Sequence, residues 1–250
     1  MSALTTTVAD RIATITIDVP PVNALDPDGW FAIRDAIGEL CTGSEVRTIV
    51  LTGTESRFCA GADISVLAEP QHEPAFMLRI VSEAATAIRN CRVPAIAAID
   101  GPAHGGGLEL ALACDIVVAS NRATFAASGV NMGLIASTPA LTAAIGVRRA
   151  SLMALTGERI DATTAADWGL VSMLDDHPAA RAREIAHTIA AKAPLAVEAN
   201  KAALRSHGFV TSGEQHAIVT ELYTKLEETK DHREAVDAFL NKRPPTFDRK

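Results

Sequence analysis

Residues 93–100, Val-Pro-Ala-Ile-Ala-Ala-Ile-Asp, form a short apolar run bounded by turn formers, and residues 104–115 then read His-Gly-Gly-Gly-Leu-Glu-Leu-Ala-Leu-Ala-Cys-Asp. An apolar run this short predicts a buried strand better than a helix, so the three glycines stand at a strand-to-helix junction. The start of a helix leaves its first N–H groups unpaired and carries partial positive charge, and missing side chains let a ligand approach that backbone. Glu109 lies three positions past Gly106, about one helical turn on, and can lean back over the same small volume. Taken alone, the stretch also fits an ordinary Gly-rich turn whose first-turn acid complements the helix dipole.

A second junction changes that balance. Thr48 to Gly53 reads as another buried strand, followed by Arg57-Phe58-Cys59-Ala60-Gly61-Ala62-Asp63-Ile64, again a turn of small residues leading towards a helix. Two such junctions in one domain suggest two backbone donors converging on one oxygen, the anatomy of an oxyanion hole.

The rest of the first two-thirds follows the same alternation. Thr5 to Val19 predicts a hairpin turning at Ala9-Asp10-Arg11, and Asp26-Pro27 supplies an N-cap and first-turn proline for a helix marked by Trp30, Phe31, Ile33, Ile37 and Leu40. A helix over 73–90 with Pro74 in its first turn precedes the 93–100 strand, and short strands are expected at 115–119 and 123–127. Strand and helix units in alternation favour an α/β architecture. From Thr138 onward the pattern is almost wholly helical, with amphipathic stretches at 138–157 and 212–240 and a strand at 171–174.

Composition excludes several classes. The 250 residues are 48% hydrophobic and 21% charged, enough for a sizeable core in a globular protein, and no apolar span has membrane-helix length. The N-terminus has no basic segment running into an apolar core, so no signal peptide is read and a cytoplasmic protein is expected. A net charge of -7 argues against a nucleic-acid footprint. All six lysines lie after residue 191, so an anionic ligand would find positive charge there or at Arg57. Cys41, Cys59, Cys91 and Cys114 lack metal-ligand spacing; no metal is expected, and free buried thiols are.

Pro21-Val22-Asn23-Ala24-Leu25, Phe58-Cys59-Ala60-Gly61-Ala62-Asp63, Gly101 to Leu110, Cys114-Asp115, Ala166 to Val171 and the tail Phe239 to Phe247 resemble, in order, the motifs of the crotonase (enoyl-CoA hydratase/isomerase) superfamily. The resemblance implies a spiral of repeated ββα units with a helical C-terminal trimerisation portion. It divides one continuous family domain into a core over 1–190 and a helical part over 191–250. It also implies homotrimers or dimers of trimers, and an acyl-CoA substrate, with coenzyme A present as part of the thioester and no permanently bound cofactor.

Carried over residue by residue, the resemblance makes Ala62 and Gly106 the main-chain donors to the thioester oxygen and Glu109 the catalytic acid/base. Val22, Ala24, Ala60, Asp63 and Ile64 match positions lining the coenzyme A groove. The basic residue that many members carry just before Asn-Ala-Leu is absent, and Pro20-Pro21-Val22 stands there instead. His104 before the glycines is left unassigned, a lone His there being more often structural than a second acid, and Asp115 and Trp168 are read as buttresses of the fold.

The second acid marks a departure. Hydratases of the family carry another glutamate soon after the strand at 123–127, and alignment on Phe125 and Gly133 places Gly129 there, with no acid from Asn121 to Gly157. Hydration needs one group to activate water and usually another to manage the alpha proton, whereas one base can move a double bond. The expectation is therefore an acyl-CoA enzyme working through a stabilised enolate, of hydratase/isomerase type in fatty-acid metabolism, with Ser128, Asn131, Ser137 and Thr138 as candidates to orient water or a polar acyl group. A decarboxylase or hydrolase on an acyl-CoA, or a weakly catalytic acyl-CoA binding protein, are the alternatives; a mere binding protein would have no need of Glu109.

Overall fold

A computed structural model of the chain describes residues 3–54, 56–68, 75–135, 138–206 and 212–250. The hairpin comes first: β1 (Leu4–Ala9) and β2 (Ile12–Ile17) pair antiparallel around Asp10 and Arg11, both with positive φ. After β2 the chain repeats one unit. A strand enters a large sheet, a second short strand enters a smaller layer, and a helix returns.

The units are β2, β3 (Ala24–Leu25) and α1 (Pro27–Thr42); β4 (Thr48–Gly53), β5 (Gly61–Ala62) and α2 (Phe76–Asn90); β6 (Ala95–Ile99), β7 (Pro102–His104) and α3 (Gly106–Ala113); then β8 (Ile116–Ala119), β9 (Thr124–Ala126) and α4 (Thr138–Ile145). The first strands of the units lie side by side and parallel as β2-β4-β6-β8. The second strands pair as β3-β5 and β7-β9, and a bridge between Cys59 and Ala103 joins the two pairs. This is the expected ββα spiral.

The C-terminal third adds α5 (Val147–Thr156), β10 (Arg159–Asp161), α6 (Ala162–Trp168), β11 (Met173–Leu174), α7 (Pro178–Ala190), α8 (Pro194–Ser206), α9 (Ser212–Glu227) and α10 (Lys230–Leu240). The stretch expected as one helix over 138–157 is two, because Gly146, a poor helix former, ends the first. The 212–240 stretch likewise restarts where Thr229 caps the His232 N–H. The strand expected over 171–174 is only β11. Residues 73 and 74, including Pro74, lie outside the described residues.

Each central strand is buried on both faces. Ile49, Leu51, Ala95, Ala97 and Ile99 face the core under α1, α2 and α3, while Val50, Ile96, Ala98 and Val118 face α7. Helix α7 meets that second face with Ala182, Ala186 and Ala190, a four-residue spacing of small side chains that allows close approach. No described helix is long and apolar enough to cross a membrane.

The expectation of four free thiols is corrected. Cys41 and Cys91 form a disulfide, with Cα atoms 5.4 Å apart. Cys41 lies in the last turn of α1 and Cys91 is the C-cap of α2, so the packing of these helices brings together residues 50 apart in sequence. Cys59 and Cys114 are free, and burial pushes both thiols up to about 12.

Candidate active site

The two small-residue junctions abut. The Cys59 N–H donates to the Pro102 carbonyl at 3.0 Å and the Cys59 carbonyl accepts from His104 at 3.1 Å, so the chain entering β5 runs against β7. Gly61, at φ +107°, faces the start of α3; a Cβ there would lie 2.9 Å from the His104 oxygen and 3.1 Å from the Gly106 nitrogen. A side chain at Gly107 would drive into the Cys59 carbonyl. Gly61 and Gly107 are therefore small because two backbones touch, and this contact sets Ala62 beside the first turn of α3.

Helix α3 is fixed at both ends. At its start the Gly105 N–H donates to Ala126 at 2.9 Å and the Gly105 carbonyl accepts from the Glu109 N–H at 3.1 Å, which leaves the amides of Gly106, Gly107 and Leu108 without intrahelical acceptors. At its end Arg205 on α8 donates to the Ala113 carbonyl at 2.7 Å and to Asp115 at 2.8 Å. Asp115 also pairs with the buried Lys201 at 2.9 Å and accepts from the Ala95 N–H at 2.8 Å. Asp115 thus buttresses the fold, as read from sequence.

A cleft of about 170 Å³ opens over this junction. It is lined by Ala60, Gly61, Ala62 and Ile64, by Gly105, Gly106 and Glu109, by Ser128 and Gly129, and by apolar side chains of α2 and of residues 132–135. Ala62, Gly106, Glu109, Gly129, Ala60 and Ile64, spread over 70 positions of sequence, therefore share one cavity. Glu109 is half-buried and is the one titratable side chain among the described residues lining it.

Val22, Ala24 and Asp63 do not line the cleft. Val22 is 47% exposed and its carbonyl accepts from Ala60; Ala24 pairs with Gly61; the Asp63 carboxylate accepts from the Ser65 N–H at 2.9 Å. Their backbones lie next to the cleft-lining residues Ala60, Gly61 and Ala62 in and beside the β3-β5 pair. Of the polar candidates only Ser128 lines the cavity: Asn131 donates to the Gly157 carbonyl, Thr138 starts α4, and Ser137 lies outside the described residues.

His104 serves structure. Its Nε2 sits 2.9 Å from the Thr124 hydroxyl, and burial, helped by Arg159, lowers its pKa to about 4, so the ring is neutral at pH 7. Arg57 turns its guanidinium onto the Pro21 and Thr54 carbonyls. The lysine-rich C-terminal segment is a weaker phosphate source than its charge suggested. Lys201 is buried on Asp115 and on the Ile88 and Val93 carbonyls, with burial lowering its pKa, and Lys225 pairs with Glu221.

Sequence reasoning missed Asn23. It is fully buried at φ +56°; its amide nitrogen donates to the Ile17 and Phe58 carbonyls at 3.1 and 3.0 Å, and its oxygen accepts from Val19 at 2.7 Å. Asn23 braces the end of β2 against the segment entering β5, and so helps hold Ala62 in place. A lone amide between apolar residues was the available signal. The cleft walls Met77, Leu78 and Val81 were missed too, being inseparable in sequence from core positions of α2.

The profile of the enoyl-CoA hydratase/isomerase family matches residues 7–250. The chain belongs to this family. It is 33% identical to the 2,3-dehydroadipyl-CoA hydratase of Escherichia coli K12, with 99% of each chain covered, and 35% identical to the (E)-benzylidenesuccinyl-CoA hydratase of Thauera aromatica, with 98% of each covered. Among solved structures it superposes on Pseudomonas aeruginosa DspI with a TM-score of 0.94 at 34% identity, covering 99% of this chain and 97% of that one. A Bacillus anthracis enoyl-CoA hydratase superposes with a TM-score of 0.93 at 29% identity, covering 99% and 100%. The protein is an acyl-CoA thioester enzyme of crotonase type.

Proposed function

We propose that this enzyme moves a double bond along an acyl-CoA through an enolate, with Glu109 as its single base. The Ala62 and Gly106 amides donate to the thioester oxygen. The Glu109 carboxylate takes a proton from C2 of a 3-enoyl-CoA, and the negative charge that develops on the thioester oxygen is held by those two donors. The protonated Glu109 then returns the proton to C4, so the double bond shifts from C3–C4 to C2–C3 and the carboxylate is regenerated. Val22, Ala24, Ala60, Asp63 and Ile64 hold the coenzyme A portion, and the active form is a trimer or dimer of trimers.

The observation that carries this reading is that Glu109 is the one titratable side chain among the described residues lining the cleft, together with glycine at position 129. One base suffices for a shuttle between two carbons of the same face, whereas water addition gains from a second group that positions the nucleophile. Hydration is the second reading, favoured by the Ser128 hydroxyl in the cleft and by the relatives named as hydratases.

Rates of 3-hexenoyl-CoA isomerisation and crotonyl-CoA hydration by the same preparation separate the two. Isomerisation should dominate, and Gly129→Glu should raise hydration. Fast hydration of crotonyl-CoA by the wild type would overturn the single-base reading and give Ser128 the water.

A further inference from the structure

The cleft walls also restrict the acyl group. Beyond Glu109 they are made by Met77, Leu78 and Val81 from α2 and by Met132, Leu134 and Ile135 after β9. Glu109 and Ser128 are the only polar side chains among the described lining residues, and none is a Lys or Arg. The nearest basic residue along α2, Arg79, stacks on the Phe76 ring at 5.3 Å and does not line the cleft.

These walls continue to the surface. Leu78, Met132, Leu134 and Ile135 are 50%, 49%, 53% and 69% exposed, so a strip of large apolar side chains leads outward from the cavity that holds Glu109.

We infer that this strip seats an apolar, uncharged acyl chain longer than four carbons, and that the site rejects acyl groups ending in a carboxylate. The inference rests on the acyl-CoA reading of the cleft. Continuity of the strip with Glu109 and the two amide junctions makes the acyl tail its occupant. Each methylene laid on it leaves water and adds to binding. A terminal carboxylate laid on these apolar side chains would give up hydration with no cation among the described lining residues to receive it, in a cleft that already holds the Glu109 carboxyl group.

Binding of saturated acyl-CoA esters, which cannot undergo double-bond migration or hydration, tests this apart from the reaction. Calorimetric Kd values should fall about fourfold per added methylene from butanoyl- to octanoyl-CoA. Adipoyl-CoA, of the same chain length as hexanoyl-CoA, should bind at least about tenfold more weakly. Leu134→Lys, at an exposed position, should narrow that gap by supplying the missing cation. Equal binding of adipoyl- and hexanoyl-CoA, or a Kd flat from four to eight carbons, would overturn the inference and leave the strip to another occupant, such as a second copy of the chain. Graded binding without 3-hexenoyl-CoA isomerisation would instead overturn only the proposed reaction.

Discussion

The indole of Trp30 occupies the space in which a side chain at Gly106 would lie: a Cβ there would come within 2.7 Å of two ring atoms. Trp30 is fully buried in α1, and its Nε1–H donates at 3.0 Å to the Leu25 carbonyl, which also accepts from Asp63 next to Ala62. One side chain thus touches the supports of both proposed oxyanion donors. Gly106→Ala should cost about 1–3 kcal/mol of stability by overpacking, with turnover falling as the amide shifts. Trp30→Phe removes the clashing atoms, so in the double variant part of the Gly106→Ala defect should be recovered. Additive losses in thermal unfolding and turnover would count against the coupling.

Deleting a donor is a sharper change. Gly106→Pro removes the N–H, and should lower turnover at least roughly a hundredfold in protein that retains its circular dichroism. Undiminished turnover in folded protein would move the donor elsewhere.

Asn23→Ala should destabilise the protein by roughly 2–4 kcal/mol, because it strands the Ile17 and Phe58 carbonyls and the Val19 N–H in a buried site. Denaturant unfolding measures this. A change below about 0.5 kcal/mol would mean that the brace is dispensable.

The disulfide has a direct chemical readout. Denatured, unreduced protein should show two titratable thiols, from Cys59 and Cys114, and reduction should raise the count to four. Cys41→Ser should lower unfolding stability by about 2–4 kcal/mol, since the bond closes a long loop. Four thiols without reductant would contradict the pairing.

The neutral state of His104 makes stability depend on pH. Its folded pKa of about 4 lies below the ordinary 6.5, so as pH falls below 6.5 the unfolded chain takes up a proton that the native state refuses. Its contribution is complete above pH 6.5 and is lost progressively towards pH 4. His104→Gln, which keeps a partner for Thr124, should flatten the stability-versus-pH curve in that window relative to wild type. Parallel curves would show that His104 does not titrate this way.

Much of this architecture was legible in the residues. Short apolar runs at 48–53 and 93–100 marked strands buried on both faces, Asp26-Pro27 marked the start of α1, and the two small-residue turns came to line one cleft. These signals are local, as are the forces behind them. What escaped depends on where the spiral brings distant segments. The ends of α1 and α2 meet to pair Cys41 with Cys91, α8 reaches back to Asp115 with Lys201 and Arg205, and Asn23 spans to Phe58. Charge counting misjudged the C-terminal lysines for the same reason: composition records that Lys201 is basic, but not that it is buried on a carboxylate.

The central claim is that one carboxylate, Glu109, carries the proton while other groups bind the substrate. Glu109→Gln keeps the side chain's size and removes its basicity. The decisive measurement is 3-hexenoyl-CoA isomerisation by this variant beside its calorimetric affinity for octanoyl-CoA. Isomerisation should fall by roughly a hundredfold or more while the Kd for octanoyl-CoA stays within about threefold of wild type. Isomerisation at the wild-type rate with binding intact would contradict the claim and place the base elsewhere.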